Sequence, residues 1–151
     1  MNPPENRPLM TGNRWNEALG LVIDEVSDDL VRAHLDAGLR HQQPYGVLHG
    51  GAWCSIVEEA ASVGAGMRSI ARDGRGVLGV SNHTDFLRSH SEGRLDVEAR
   101  PLHAGRRSQL WEVRIARASD GVLVARGQVR FHVLDELPGE RRERLASEQR
   151  P

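Results

Sequence analysis

The fold of this chain is decided by one continuous stretch, residues 50–74, with the sequence GGAWCSIVEEAASVGAGMRSIARDG. Glu58 and Glu59 are the only charged residues in the first two thirds of it, so the stretch lacks a polar stripe. A surface helix shows such a stripe, whereas a helix that is apolar all round is buried. We therefore predict a helix that starts near Gly50, ends at Asp73-Gly74 and is enclosed by the rest of the chain.

The other apolar segments alternate with polar residues, as β-strands do. Two early segments, 19–26 and 30–35, predict a hairpin. Asp120-Gly121 predicts a two-residue hairpin turn late in the chain. After the helix we expect four more strands, around residues 77–87, 94–101, 111–115 and 129–133. One helix and about six strands without βαβ alternation predict an α+β fold, in which an antiparallel sheet curls around the helix.

The length of 151 residues predicts a single domain. Residues 1–14 are rich in proline and asparagine, and we expect a flexible N-terminus there. Residues 135–151 carry charges of both signs, so we expect a solvated, poorly ordered tail. The folded domain is therefore predicted to span residues 15–134.

Composition and charge exclude several classes of function. The net charge is −1 with both signs interspersed, which is untypical of a nucleic-acid-binding protein. All 20 Lys+Arg residues are arginines, so there is no lysine for a Schiff base or a P-loop. The single cysteine excludes an internal disulfide, and no histidine spacing is typical of a metal site. With no signal peptide or membrane span evident, we expect a cytoplasmic protein without a membrane partner.

His49, Gly50 and Gly51 lie where the predicted loop becomes the helix. The first N–H groups of a helix have no intrahelical partner and lie at the positive end of its dipole. Glycine lets a ligand oxygen approach that backbone closely. Such a site can polarise a carbonyl group and stabilise the oxyanion that forms on it, although the three residues are equally consistent with a flexible helix cap.

Glu58 lies two turns into the same helix, with Cys54 and Ser62 one turn away on either side. A carboxylate among small apolar residues generally has a raised pKa, which suits a general base or nucleophile near neutral pH. The alternative is that Glu58 or Glu59 pairs with an arginine. Because neighbouring side chains differ by about 100° around a helix, only one of the two can face a given pocket. We expect Glu58 to face it and Glu59 to be structural.

Gly50 and Glu58 are about 12 Å apart along the helix axis, at 1.5 Å per residue. Oxyanion and general-base contacts each require about 3 Å, so the two cannot reach one carbonyl group within one chain. Either they are unrelated, or a site joins Gly50 of one chain to Glu58 of another. The small residues of the helix and the open sheet edges favour the second interpretation, which makes a homodimer obligatory.

Other polar residues are candidates for supporting roles. Gln43 could donate an amide N–H to the same carbonyl oxygen, although a surface position is the alternative. Ser62 could bind Glu58 or a water, or bond to its own helical turn. The arginines at 88, 106 and 107 end or join strands, where guanidinium groups suit phosphate recognition or simply face solvent.

Residues 41–66 resemble the hotdog-fold acyl-CoA thioesterases of the PaaI-like group. The shared pattern is Q-P-[YF]-G-x-x-H-G-G-A, which runs from Gln43 to Ala52 and is followed by Glu58. The branch that it resembles most contains 1,4-dihydroxy-2-naphthoyl-CoA hydrolase, the enterobactin proofreading thioesterase and the glutamate-type 4-hydroxybenzoyl-CoA thioesterase. Residues 86–95 and 101–107 fit the same group, so the resemblance covers about residues 15–134.

The resemblance implies a hotdog fold and hydrolysis of an acyl-CoA thioester to a carboxylic acid and CoA, without a cofactor. It implies that Glu58 is the catalytic carboxylate and that Gly50 donates its N–H to the thioester carbonyl. It also implies composite sites in a homodimer that pairs into a homotetramer. The other site residues that it implies are Gln43, His49 and Ser62 beside the reacting groups, and Arg88, Ser89, Gly105, Arg106 and Arg107 at CoA.

One position departs from the pattern, because some relatives have a histidine in the strand after the helix where this chain has Phe86. Two other functions are conceivable on the same fold: a non-catalytic acyl-CoA-binding module, and a hydratase or dehydratase of enoyl thioesters. A buried acid at Glu58 argues against the first, and the helix motif typical of the second is not seen. Neither the acyl group nor the choice between CoA and acyl-carrier protein follows from the sequence.

Overall fold

The computed structural model describes residues 13–136 and Gly139. The predicted flexible N-terminus, 1–14, and the charged tail, 135–151, lie almost entirely outside the described residues. The elements are α1 (Arg14–Leu19), β1 (Val22–Val26), β2 (Val31–Ala37), a 3₁₀ turn (Leu39–His41), α2 (Gly50–Asp73), β3 (Val77–Phe86), β4 (Gly93–Ala104), β5 (Ser108–Arg117) and β6 (Leu123–Val133).

The six strands form one antiparallel sheet in the order β1-β2-β4-β5-β6-β3. Strands β1 and β3 are therefore the edges, and β3 pairs only with β6 among the described strands. The sheet packs against α2 along most of its width. This is the predicted α+β architecture, a long central helix wrapped by a curled antiparallel sheet, and the predicted hotdog fold is confirmed.

Helix α2 begins and ends where the sequence predicts. Gly74 follows its last residue in the left-handed conformation (φ 67°), and its N–H donates to the carbonyl of Ile70 at 2.9 Å. This closes the helix with a glycine cap. The side of α2 that faces the sheet is fully enclosed, and its buried apolar residues are Trp53, Ile56, Val57, Ala60, Ala61 and Ala65.

The opposite side of α2 is only half-buried, so the expectation that one chain encloses the helix completely is wrong. Its half-buried side chains include Cys54, Ser55, Glu58, Glu59 and Ser62. The physical reason is that a six-stranded sheet curls around one side of the helix and leaves the other to solvent or to a second molecule. Glu58 and Glu59, the only charged residues in the first two thirds of α2, both lie on that uncovered side.

Helix α1 was not expected, because six residues are too few for a helical period to show in the sequence. The side chain of Asn13 caps it by accepting the N–H of Asn16 at 3.0 Å. Asn13 also donates to Glu59 at 2.7 Å, and the indole N–H of Trp15 donates to Ser55 at 3.1 Å. Helix α1 thus lies against α2 and shields part of its uncovered side.

The predicted hairpin between β5 and β6 is present, but its turn is longer than two residues. It spans 118–122, with Gly121 in the left-handed region at φ 70°. The backbone N–H of Arg117 donates to Val122 at 2.9 Å, and its guanidinium donates to Asp120 at 2.8 Å. These bonds stabilise a wider loop than the Asp-Gly pair alone predicts.

Candidate active site

The start of α2 is capped by His49 and leaves one backbone donor free. His49 Nδ1 accepts the N–H of Gly51 at 2.8 Å, which makes the imidazole the side-chain cap. The carbonyl of His49 accepts the N–H of Ala52 at 2.9 Å. The N–H of Gly50 donates to no other described residue. The cap is therefore compatible with the oxyanion hypothesis, since capping Gly51 leaves the Gly50 N–H available at the positive end of the helix.

The carboxylate of Glu58 is held from strand β3. Asn82 donates its amide N–H to Glu58 Oε2 at 2.9 Å. The other oxygen, Oε1, lies above Gly79, where the Cβ of any larger residue would be only 2.5 Å away. No arginine of the described segment forms an ion pair with Glu58 or Glu59, so the arginine-pairing alternative is not what the fold uses.

Glu59 points to a different side of α2 and is bound by Asn13 instead. Burial raises the pKa of Glu59, the hydrogen bond from Asn13 opposes this, and the nearby negative charge of Glu58 raises it further. The sequence predicts the raised pKa at Glu58, whereas the raised pKa that the structure gives is that of Glu59. Glu59 ties α1 to α2 through Asn13, and the expected catalytic role of Glu58 stays a prediction.

Strand β3 connects the helix start and the carboxylate. It runs antiparallel to the first half of α2, so that Asn82 contacts Glu58 and the ring of Phe86 covers Gly50. A Cβ at position 50 would lie 2.9 Å from Phe86 Cε2. Asn82 and Phe86 are separated by about 13 Å along a strand, which matches the rise of about 12 Å between Gly50 and Glu58. Within one chain the two groups are too far apart to act on one carbonyl group.

Gln43 lies in the loop before α2 and presents its amide nitrogen. Its side-chain oxygen accepts the N–H of Tyr45 at 2.8 Å, and its backbone carbonyl accepts the N–H of Gly46 at 2.9 Å. The oxygen is thus used by the turn, and the –NH₂ group is left as a donor, as the sequence analysis requires. Ser62 donates to no partner within the described residues, whereas Ser55 bonds to its own turn through Gly51 O at 2.8 Å.

The residues predicted at CoA lie at opposite ends of strand β6. The N–H of Arg88 donates to the carbonyl of Val124 at 3.0 Å, near the start of β6. Ser108, next to Arg107, pairs with His132 near its other end. The eight-residue interval from Val124 to His132 corresponds to about 27 Å along an extended strand. One chain therefore does not bring Arg88 and Ser89 together with Gly105, Arg106 and Arg107.

The two groups of basic residues have different surroundings. Arg88 and Ser89 precede His90, whose carbonyl accepts the N–H of Leu48 at 2.8 Å, and so they lie at the Gly50 end of α2. Arg106 and Arg107 line a surface cleft of about 450 Å³ at the other end of α2, together with Arg75 and Asp135.

The described residues bring no three His, Cys, Asp or Glu side chains together as metal ligands. None of their helices is long and apolar enough to cross a membrane.

Known proteins resemble this chain in sequence and in fold. The family described as the thioesterase superfamily matches residues 45–124. A Mycobacterium tuberculosis protein named "Putative esterase Rv1847" is 42% identical over 138 residues, covering 91% of this chain and 98% of that protein. The chain belongs to the thioesterase superfamily. The solved structure of the same mycobacterial protein matches with a TM-score of 0.78 and covers 83% of this chain and 99% of that one.

Two relatives of this thioesterase-superfamily chain carry more specific names. The proofreading thioesterase EntH of Cronobacter sakazakii is 37% identical over 97 residues, covering 64% of this chain and 69% of that protein. The solved structure of thioesterase HI1161 from Haemophilus influenzae is 25% identical, with a TM-score of 0.78, and covers 89% of this chain and 92% of that one. Family membership and these relatives support thioester hydrolysis as the general activity.

Two contacts of this thioesterase-superfamily site were not predicted, namely Asn82 on Glu58 and Phe86 on Gly50. Both lie on β3, whose polar residues fall on both faces of the strand and weaken the strand pattern. Polar residues on both faces of β3 were the sequence signal for these contacts, because a strand that contacts a polar site carries polar residues on its inner face as well. The position of Phe86 was noticed only as a departure from the family pattern.

Proposed function

We propose that this chain hydrolyses an acyl-CoA thioester to a carboxylic acid and free CoA at a composite site in a homodimer. The observation that carries the proposal is the pairing of a free N–H at Gly50 with a fixed carboxylate at Glu58 on the same helix. Their separation of about 12 Å prevents both from acting on one substrate within a chain. Two copies with antiparallel α2 helices would bring Gly50 of each to Glu58 of the other.

The surfaces that one chain leaves open support this dimer. Strand β3 is a free edge of the described sheet, and three of its large apolar side chains are exposed: Leu78, Val80 and Phe86. Exposed apolar edge strands pair with another chain unless something blocks them. The half-buried side of α2 adjoins that edge, so a second copy would cover both. Pairing of two dimers into a homotetramer, and a cytoplasmic location, are further parts of the proposal.

In the proposed reaction, the Gly50 N–H and the helix dipole polarise the thioester carbonyl and stabilise the oxyanion. Gln43 donates its amide N–H to the same oxygen. Glu58 of the partner subunit either takes a proton from a water that attacks the carbonyl carbon or attacks it directly to give an anhydride. In both routes the C–S bond breaks and the sulfur leaves as the CoA thiol after protonation. In the first route the attacking water supplies the second oxygen of the carboxylic acid, and in the second route water hydrolyses the anhydride, which releases the acid and restores the Glu58 carboxylate.

The first test compares two substitutions of adjacent acids. Glu58→Gln should lower kcat by about 10²- to 10⁴-fold, because it removes the base or nucleophile while keeping the shape of the side chain. Glu59→Gln is the matched control and should keep kcat within about twofold of wild type. Release of free thiol from a panel of aryl and aliphatic acyl-CoAs measures both. An active Glu58→Gln variant together with an inactive Glu59→Gln variant would contradict the assignment.

The composite site can be tested with mixed dimers. Gly50 is the first helical residue, where proline is tolerated, and His49 has the extended backbone that a following proline requires (φ −65°, ψ 139°). Gly50→Pro removes the N–H donor, and Gly50→Ala is the control that keeps it. A dimer of one Gly50→Pro chain and one Glu58→Gln chain contains one intact composite site.

The mixed dimer should therefore regain about half of the wild-type activity, although each parent is inactive. If each site were built within a single chain, every site of the mixed dimer would carry one defect. No recovery of activity in a purified mixed dimer would thus refute the composite arrangement. Binding of acyl-CoA without thiol release by the wild-type chain would instead favour the non-catalytic module.

A further inference from the structure

Asn82 has more hydrogen bonds to the protein than an exposed side chain requires. Its amide nitrogen donates to Glu58 Oε2 at 2.9 Å and to the carbonyl of Cys54 at 3.1 Å. Its amide oxygen accepts the hydroxyl of Thr84 at 2.7 Å. Water can satisfy the amide of an exposed residue, so burial does not explain this set of bonds. The bonds instead define the orientation of the side chain.

The direction of each bond is determined by chemistry. The Cys54 carbonyl and an ionised Glu58 only accept, so the amide nitrogen must face α2. The amide oxygen then faces Thr84, whose hydroxyl can donate. Both amide hydrogens are used, and a flipped Asn82 would place its oxygen against two acceptors. The two acceptors therefore select the orientation in which Asn82 donates to Glu58, and the hydroxyl of Thr84 stabilises that orientation by donating to the amide oxygen.

The effect on the carboxylate is to distinguish its two oxygens. Oε2 is occupied by Asn82, whereas Oε1 lies over the backbone of Gly79 and accepts no hydrogen bond from the described residues. A hydrogen bond to a charged group is stronger than a neutral one, so it restricts the rotation of the Glu58 side chain. Oε1 is thereby left as the oxygen that can meet a water or a carbonyl carbon.

We propose that Asn82, its orientation stabilised by Thr84, is a positioning residue that fixes the Glu58 carboxylate and presents Oε1 to the substrate of a second chain. The inference rests on the proposed function, since it assigns Asn82 a role only through Glu58. It does not depend on which acyl group is hydrolysed. Nor does it depend on whether Glu58 acts as a base or as a nucleophile.

The test measures kcat and KM for thiol release in four variants of the full-length chain. Asn82→Asp keeps the shape and the acceptor for Thr84 but removes both donors, and it should lower kcat by about 10- to 100-fold with KM within about twofold. Asn82→Ala should show a loss of similar size. Thr84→Val should show a smaller loss, about 2- to 10-fold. Ser81→Ala, on the same strand, is the matched control and should behave as wild type.

Thermal unfolding and size-exclusion chromatography identify any variant that fails to fold or dimerise. If Asn82→Ala fails in this way, the isosteric Asn82→Asp variant decides the question. A folded Asn82→Asp variant with wild-type kcat overturns the positioning role, and so does a loss expressed entirely in KM. An active Glu58→Gln variant overturns the proposed function itself, whereas an inactive Glu58→Gln beside fully active Asn82 variants overturns only this inference.

Discussion

Replacing Gly79 by alanine should disable the proposed reaction without unfolding the protein. The new Cβ would lie 2.5 Å from Glu58 Oε1, and ordinary contact begins near 3.4 Å, so the oxygen must move by about 0.9 Å. The other atoms near this Cβ are Glu58 Cδ at 3.6 Å and Phe131 Cε1 at 3.8 Å, which are ordinary contacts. The carboxylate is the end of a flexible side chain, so it can move at little cost in stability.

Misplacement of a reacting group by about 1 Å lowers rates by about 10²-fold. We therefore expect kcat of Gly79→Ala to fall about 100-fold, which is about 2.7 kcal/mol of transition-state stabilisation. The temperature of half-unfolding should change by less than about 2 °C, since about 1 kcal/mol corresponds to about 2–4 °C in a chain of this size. Thiol release and calorimetry measure the two quantities.

The matched control for this substitution is Gly38→Ala. Position 38 is extended (φ −162°), and a Cβ there meets nothing within 4 Å, so the variant should keep both activity and stability. The reasoning would be refuted if a folded, dimeric Gly79→Ala variant kept the wild-type kcat. It would also be refuted if that variant lost stability in proportion to its activity, because the damage would then be structural.

Other outcomes follow from the same structure. Gly64→Ala should lower the free energy of unfolding by about 1 kcal/mol or more in urea titration, because its Cβ would overlap the ring of the fully buried Trp111 and outweigh the gain in helix propensity. Burial raises the pKa of Glu59, so stability should fall as pH rises from about 4.5 through the raised value. Glu59→Gln should remove this fall in thermal unfolding across pH 4–8. If Arg106 meets a CoA phosphate, Arg106→Ala should raise KM for acyl-CoA but not for acyl-pantetheine. The same comparison of KM values for Arg88→Ala tests whether Arg88, at the opposite end of β6, meets a CoA phosphate instead.

The helix that organises the fold could be predicted from residues near one another in the chain. Gly74 marks its end, since glycine adopts the left-handed conformation of the cap at little cost. The absence of charge over its first turns indicates burial, and the distance from Gly50 to Glu58 follows from helix geometry alone. The free N–H at Gly50 was likewise predictable, because it depends only on where the helix starts.

The uncovered side of α2 shows where such reasoning fails. An apolar composition indicates that a surface is kept from water, but it does not say which molecule covers it. The half-buried Cys54 and Ser62 face away from the chain's own sheet, and only the curvature of that sheet reveals this. Helix α1 was missed for a different reason, because its stability comes from contacts to Ser55 and Glu59 far along the chain.

By itself, then, the sequence determined that this protein has one capped, charge-poor helix carrying a backbone donor and an acid at a known spacing, within an α+β fold. Only the tertiary structure decided that β3 lies antiparallel to that helix, with Asn82 on Glu58 and Phe86 over Gly50. It also decided that the predicted CoA-binding arginines lie at opposite ends of β6. The physical reason is that caps and periodicity arise between neighbours in the chain, whereas contacts between residues 24 or more positions apart depend on how the sheet curls and packs.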